Sequence, residues 1–222
     1  MNLKKRIGCL HVHHSNIDYI EKATTLYDME LIHFVDPGLM NRITNDEGFS
    51  LENANDKVRQ QIEWIAKCQV DAILITCTHY IALLDDRDLS VSVPIIKIDE
   101  PFFEAICEVQ QPQTILFSNP ETVDGTMKRL NQYAKNHKKT IGDIEVRVLE
   151  NTFEFFMKGL QEEYDQAITS ALNHAISAEN HVISVAQLSM VNGAKRAEQQ
   201  TGRSIINPLD SLVSYLVHRW KG

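Results

Sequence analysis

No apolar run in this chain approaches the length of about 18 residues that crossing a membrane as a helix requires. The start carries Lys4, Lys5 and Arg6 and turns polar again at His13, so it reads as neither a spanning helix nor a secretion signal. Positive charge is also scarce. Across 222 residues, 22 Lys and Arg face 30 Asp and Glu, and the formal net charge of −8 disfavours a nucleic-acid surface. The small basic clusters at Lys4 to Arg6 and Lys138 to Lys139 read as solvated ends. Only four cysteines occur, Cys9, Cys68, Cys77 and Cys107, with no C-x-x-C pair and no regular framework. Reduced thiols and a cytoplasmic protein are the expectation. No Gly/Ser-rich linker or low-complexity stretch interrupts the chain, so any lobes follow one another directly.

What is present is an alternation. Short runs rich in Ile, Val and Leu predict strands over 6–12, 31–35, 72–76, 93–98, 114–117, 144–149, 182–185 and 204–206. Helical patterns fit between them, over 16–27, 51–67, 101–108, 120–136, 162–178, 190–200 and 209–219. In the second of these, Val58, Ile62, Ile65 and Ala66 share one face at a period near 3.6. Pro101, Pro120 and Pro208 stand at or near first helical positions, where a missing N–H does no harm. Strands and helices in turn predict an α/β fold with parallel sheets flanked by helices.

The alternation also repeats. The strand opening at Arg6 resembles the one opening at Thr114, and the strand that leads to Cys77 resembles the one that leads to Gln187, at offsets of 108 and 110 residues. Two similar lobes are expected, 1–98 plus 207–222 carrying Cys77 and 99–206 carrying Gln187. A small-molecule site is expected in the cleft between them.

Chemistry concentrates at one strand end. The run Ile73, Leu74, Ile75 closes in Thr76, Cys77, Thr78, His79 and Tyr80, and ligands in open α/β sheets sit just beyond the carboxyl ends of the strands. Cys77 is therefore a candidate catalytic thiol, against the plainer reading of a core cysteine. His11, at the end of the first strand, reads either as a partner for that thiol or as a core histidine bonded to a backbone carbonyl. His11, His13 and His14 form an H-x-H-H cluster with only Cys9 as a nearby ligand in sequence, and no metal is expected there. Cys9, Cys68 and Cys107 lie among apolar neighbours and read as inert. Asp99 and Glu100 read as a helix cap or as site residues, and Phe153, Phe155 and Phe156 as core or a subunit contact.

These residues also carry a likeness. The stretch from Asp71 to Tyr80 resembles the first catalytic-cysteine strand of the aspartate/glutamate/hydantoin racemase superfamily, and the stretch from His181 to Met190 resembles its second. Ile7 and Gly8 on the first strand, Ile96 to Glu100 between the lobes, the turn Ser118 to Thr122 and a return helix after Pro208 extend the similarity over nearly the whole chain. In that family two cysteines from opposing lobes flank the α-carbon of a carboxylate substrate. One removes its proton as a thiolate and the other returns a proton from the far face, without any cofactor. Inversion at carbon needs an acid and a base on opposite faces, which a cofactor-free site supplies only from two walls.

The resemblance implies Cys77 as the first thiol, with His11 as its partner. It also implies Thr78, Ser118, Asn119 and Thr122 around the substrate carboxylate, since hydroxyls and backbone amides suit an anion. Ser118 or Asn119 reads equally as a plain N-cap, with Thr122 simply exposed. The position of the second cysteine holds Gln187, followed by Leu188 and Ser189. An amide is no general acid near neutral pH, so Gln187 and Ser189 are expected to bind the substrate's other end, and proton exchange is expected rather than inversion. The implied function is a cofactor-independent, racemase-like enzyme for a small carboxylate or amino acid, as a homo-oligomer such as a dimer, with no nucleic-acid or membrane partner. A catalytically retired amino-acid or dicarboxylate binding protein, or a Cys-dependent lyase or hydrolase, is the alternative.

Overall fold

A computed structural model describes residues 4–84, 89–178 and 180–220, with residue 220 by its backbone alone. Its contacts divide the chain into two units, residues 1–98 and 99–222.

In the first unit, β1 (Lys5–His11) lies between β2 (Met29–Val35) and β3 (Ala72–Ile75), and β4 (Ile95–Lys97) follows β3, giving a sheet of order β2-β1-β3-β4 with every pair parallel. Parallel neighbours need crossovers, and α1 (Ser15–Thr24) and α3 (Leu51–Ala66) supply them. Each member of β3 is buried, as expected of a strand covered on both faces. The Ser50 side chain caps α3 by accepting from the Asn53 N–H. Ala54, Val58, Ile62 and Ile65 of α3 are buried. A Cβ on Gly8 would collide with the Ile65 Cγ2 methyl, so α3 packs at β1 where a side chain is missing. In this unit two short helices escape the sequence reading, α2 (Gly38–Asn45) and α4 (Thr78–Ala82), both too short to show a period.

The second unit repeats this order. It opens with α5 (Asp99–Glu108), and β5 (Gln113–Phe117) lies between β6 (Ile144–Val148) and β7 (Val182–Val185), again with parallel pairing. The crossovers are α6 (Val123–Asn136), then α7 (Thr152–Met157) with α8 (Gln161–Ala178). After β7 come α9 (Val191–Thr201) and α10 (Pro208–Trp220). The strand expected over 204–206 is a single bridge, Ser184 to Ile206, because Asn207 already accepts from the Leu209 and Asp210 N–H groups to begin α10. Its position beside β7 matches that of β4 beside β3.

Ladder register refines the internal repeat. Ile7 pairs with Ala72 and Gln113 with Val182, separations of 65 and 69 residues, so the two offsets differ by four where 108 and 110 differ by two. A shift of two preserves which face each side chain takes.

Residues 207–220 belong to the second unit, whereas the sequence reading returned 207–222 to the first lobe. The helix α10 packs on α5, with Leu209, Leu212 and Leu216 buried. Residues 1–3 and 221–222 of the expected first lobe lie outside the described residues. The core of the second unit forms two clusters, one around Tyr164, Ile168, Leu172 and Val185, the other around Phe102, Phe103, Ile106 and Phe117. Phe155 and Phe156 of α7 pack against the first of these.

Candidate functional site

Two strand ends carry the candidate groups, one in each unit. In the first, the chain leaves β3 at Ile75, and Cys77 stands two residues on, extended at φ −109° and ψ 119°, as the N-cap residue of α4. Its side chain does not bond to that helix's N–H groups. Cys77 and Thr78 are half-buried, and His79 is exposed. Tyr80 anchors this turn by donating its hydroxyl to the Asp36 carbonyl at 2.6 Å. Burial raises the Tyr80 phenol above its usual range.

His11 is fully buried, and both its ring nitrogens are engaged. Nδ1 lies 2.8 Å from Thr76 Oγ1, and Nε2 lies 2.8 Å from Nδ1 of His33 on β2. The far nitrogen of His33 meets Glu21 of α1 at 3.1 Å. Asn16 of α1 donates to Thr76 Oγ1 at 3.2 Å, and that hydroxyl also reaches the Leu10 carbonyl at 3.3 Å. Burial, assisted by His33, pushes the His11 imidazole down to about 4. His11 is therefore neutral at pH 7 and offers no cation to a thiolate. Its link to Cys77 runs through Thr76, the preceding residue in the chain.

The H-x-H-H cluster is not one group. The strand ends at His11, and His13 and His14 are exposed beyond it, their rings 4.3 Å apart. What gathers instead is Cys9, His11 and His33, whose ligand atoms lie within 4.8 Å of one another. Burial, with the Glu21 carboxylate adding to it, pushes the Cys9 thiol up to about 12. Cys107 is buried as well, whereas Cys68 is half-buried.

In the second unit Gln187 stands two residues past β7, extended at φ −123° and ψ 140°, before the short 3-10 turn Leu188–Met190. Cys77 and Gln187 thus occupy corresponding positions. Gln187 Oε1 accepts from the Ser118 N–H at 2.7 Å, the Ser118 hydroxyl at 2.9 Å and the Asn119 N–H at 3.0 Å. The Tyr164 hydroxyl bridges Ser118 Oγ at 2.7 Å and Ser189 Oγ at 2.9 Å, and Tyr164 is fully buried. Asn119 caps its own turn, its Oδ1 accepting from the Glu121 N–H at 3.0 Å, and Thr122 Oγ1 donates to the Asn119 carbonyl at 2.8 Å. Asn119 is thus a plain N-cap, whereas Thr122 is half-buried and not simply exposed, and the donors beside them hold Gln187. Glu21, His33, Thr76 and Tyr164 escaped the sequence reading. A lone histidine inside the apolar run of β2, opposite Cys9 in register, was the available signal.

Asp99 is buried at the start of α5 and pairs with Arg129 of α6 at 2.7 Å, a contact within the second unit. No helix among the described residues is long and apolar enough to cross a membrane.

No family model and no curated protein matches this sequence. Solved structures do match its fold. An aspartate racemase from Picrophilus torridus is 12% identical, with 97% of this chain and 94% of that one covered at a TM-score of 0.68. A glutamate racemase from Bacillus anthracis is 14% identical, with 99% and 83% covered at 0.66. An allantoin racemase from Klebsiella pneumoniae is 16% identical, with 97% and 88% covered at 0.63. The likeness is one of fold: α/β, with two parallel sheets flanked by helices, as in these aspartate, glutamate and allantoin racemases.

Proposed function

We propose that this protein is a cofactor-independent enzyme that acts on a small carboxylate or amino acid, with Cys77 as the thiolate that takes or delivers the α-proton. The observation that carries this reading is a thiol two residues beyond the carboxyl end of β3, in a fold shared with aspartate, glutamate and allantoin racemases. A thiolate acts as base only where its surroundings favour the ionised form, and a helix N-cap is one such position. His11 serves as a positioning residue, holding Thr76 and through it the backbone that presents Cys77. Thr78 and Ser189 are assigned to the substrate's polar ends.

Gln187 replaces the second acid. An amide gives up no proton at neutral pH, so its contribution is binding. With Oε1 seated on the Ser118 and Asn119 donors, the end left to a substrate carboxylate is Nε2 with its two N–H groups. Ser118, Asn119 and Thr122 then build the seat that orients this amide. The consequence is exchange of the α-proton from one face without inversion. The protein is assigned to the cytoplasm as a homo-oligomer.

The test is a panel of amino acids and small carboxylic acids in deuterated buffer, with α-proton exchange and optical rotation followed for the native protein and Cys77→Ala. Exchange that disappears in the variant, with rotation preserved, supports one-sided proton transfer. Rotation that decays with exchange points to a racemase with another acid. The seating of Gln187 on three donors favours a second reading, an amino-acid or dicarboxylate binding protein that has lost its chemistry. Ligand binding untouched by Cys77→Ala, without exchange on any compound, would establish that reading and overturn the first.

A further inference from the structure

Of Cys9, His11 and His33, only His11 enters the proton transfer proposed above, as a positioning residue through Thr76, and the cluster joins two residues of β1 to one of β2. On β1, Cys9 and His11 are two apart and so share one face, and the register sets His33 of β2 beside Cys9. One sulfur and two imidazole nitrogens then converge within 4.8 Å. We propose that Cys9, His11 and His33 form a binding site for one zinc ion.

The surrounding groups are those a metal site needs. A ligating imidazole is oriented by a hydrogen bond from its other nitrogen, commonly to a carboxylate. Both rings here have such a partner: His33 Nε2 meets Glu21 at 3.1 Å, and His11 Nδ1 meets Thr76 Oγ1 at 2.8 Å. The two nitrogens left over, His33 Nδ1 and His11 Nε2, are those that face each other at 2.8 Å. Thiolate and imidazole together suit zinc, which takes sulfur and nitrogen ligands.

Charge and protons balance. One Zn²⁺ and one Cys9 thiolate sum to +1, which the Glu21 carboxylate beside His33 offsets. Glu21 accepts from His33 Nε2–H, which leaves His33 Nδ1 bare and the proton of the shared contact on His11 Nε2. Zinc binding requires that proton to move to His11 Nδ1, where Thr76 Oγ1 accepts it and turns its own hydroxyl toward the Leu10 carbonyl, 3.3 Å away. The S–H bond of Cys9 breaks as the Zn–S bond forms, and its proton leaves to solvent. One proton is released for each zinc bound. The approach is open from the side of β2, since the His33 side chain is 14% exposed and that of Glu21 is 58% exposed, whereas Cys9 and His11 are sealed.

The experiment uses the full chain, reduced and stripped with a chelator, titrated with Zn²⁺ against a chromophoric competitor and separately with Co²⁺. The expected result is one ion per chain, a thiolate-to-cobalt charge-transfer band, and loss of both in Cys9→Ala and His33→Gln. Cys77→Ser should bind as the native chain does, which separates this site from the proposed catalytic thiol. The exposed variant Glu21→Gln, which leaves the core intact, should weaken binding by about 10- to 100-fold. Absence of stoichiometric binding, a cobalt spectrum without the thiolate band, or affinity unchanged in Glu21→Gln would overturn the proposal.

Discussion

The side-chain oxygen of Gln187 lies 2.7 Å from the backbone nitrogen of Ser118, on donors that the sequence reading reserved for a substrate carboxylate. Three donors converge on that one oxygen, two from backbone amides and one from a hydroxyl. Such a seat binds an amide oxygen well and a carboxylate oxygen better, because a charged acceptor strengthens each bond. In this structure a neutral side chain of the same protein occupies those donors.

Replacement of Gln187 tests this directly. Gln187→Ala returns the donors to water and should lower stability by about 1 kcal/mol. Gln187→Glu places a carboxylate in the seat, where the donors hold its pKa below the ordinary value of about 4.3. A depressed carboxyl stabilises the fold above its unfolded pKa and loses that contribution as pH falls through the folded one. The Glu variant should therefore exceed the Ala variant in urea melts at neutral pH, and the gap should close in acid. Equal stability at neutral pH would mean that the seat does not favour an anion.

Asp99 and Arg129 form a pair in which the carboxylate is buried and the guanidinium partly exposed. Arg129→Leu strands a buried charge and should cost about 3 kcal/mol. The double variant with Asp99→Asn should recover part of that loss. Denaturant melts of the three chains measure both numbers, and a single-variant cost within error of zero would show that Asp99 finds another partner.

Helices α8 and α9 pack tightly at Gly193, where a Cβ would fall 2.6 Å from the Cβ and Cγ2 of Ile168 and 3.0 Å from the Asp165 carbonyl. Neither contact is the far end of a flexible side chain. Gly193→Ala should destabilise by about 1–3 kcal/mol through overpacking. Gly202 is a different case: it ends α9 at φ +69° with open space around it. Gly202→Ala should cost about 1–2 kcal/mol from the left-handed backbone alone. Thermal melts should show both losses, and a neutral Gly193→Ala would mean that the two helices have room to part.

Asp71 closes the entry to β3. Its carboxylate accepts from the Arg6 backbone N–H at 2.8 Å and from Lys5 at 3.3 Å, and these bonds, the backbone one foremost, hold its pKa below the usual carboxylate value. The contribution is full above the unfolded pKa of about 3.9 and disappears as pH falls through the lower folded value. Asp71→Asn should be less stable than the native chain at neutral pH and indistinguishable from it in strong acid. A difference that persists undiminished at low pH would assign the effect to shape instead of charge.

The alternation of apolar runs and helical periods determined most of the architecture. Buried parallel strands such as 72–75 must be apolar throughout, and a helix on such a sheet must keep one face apolar, as Val58, Ile62 and Ile65 do, so both leave a local pattern. The same locality put Cys77 and Gln187 at corresponding strand ends. Short elements were less legible: α2, α4 and α7 are too brief for a period, and 204–206 pairs through a single residue, which no local pattern marks.

Tertiary structure alone decided what those strand ends meet. His11 is separated from Thr76 by 65 positions and from His33 by 22, and Gln187 from Ser118 by 69, so only sheet register and the turns after β5 and β7 bring them within hydrogen-bond reach. The same holds for α10, whose pattern announces an amphipathic helix but not that α5 is its partner. Residue types and periods are properties of neighbouring positions, whereas partner choice depends on which distant faces the packing presents.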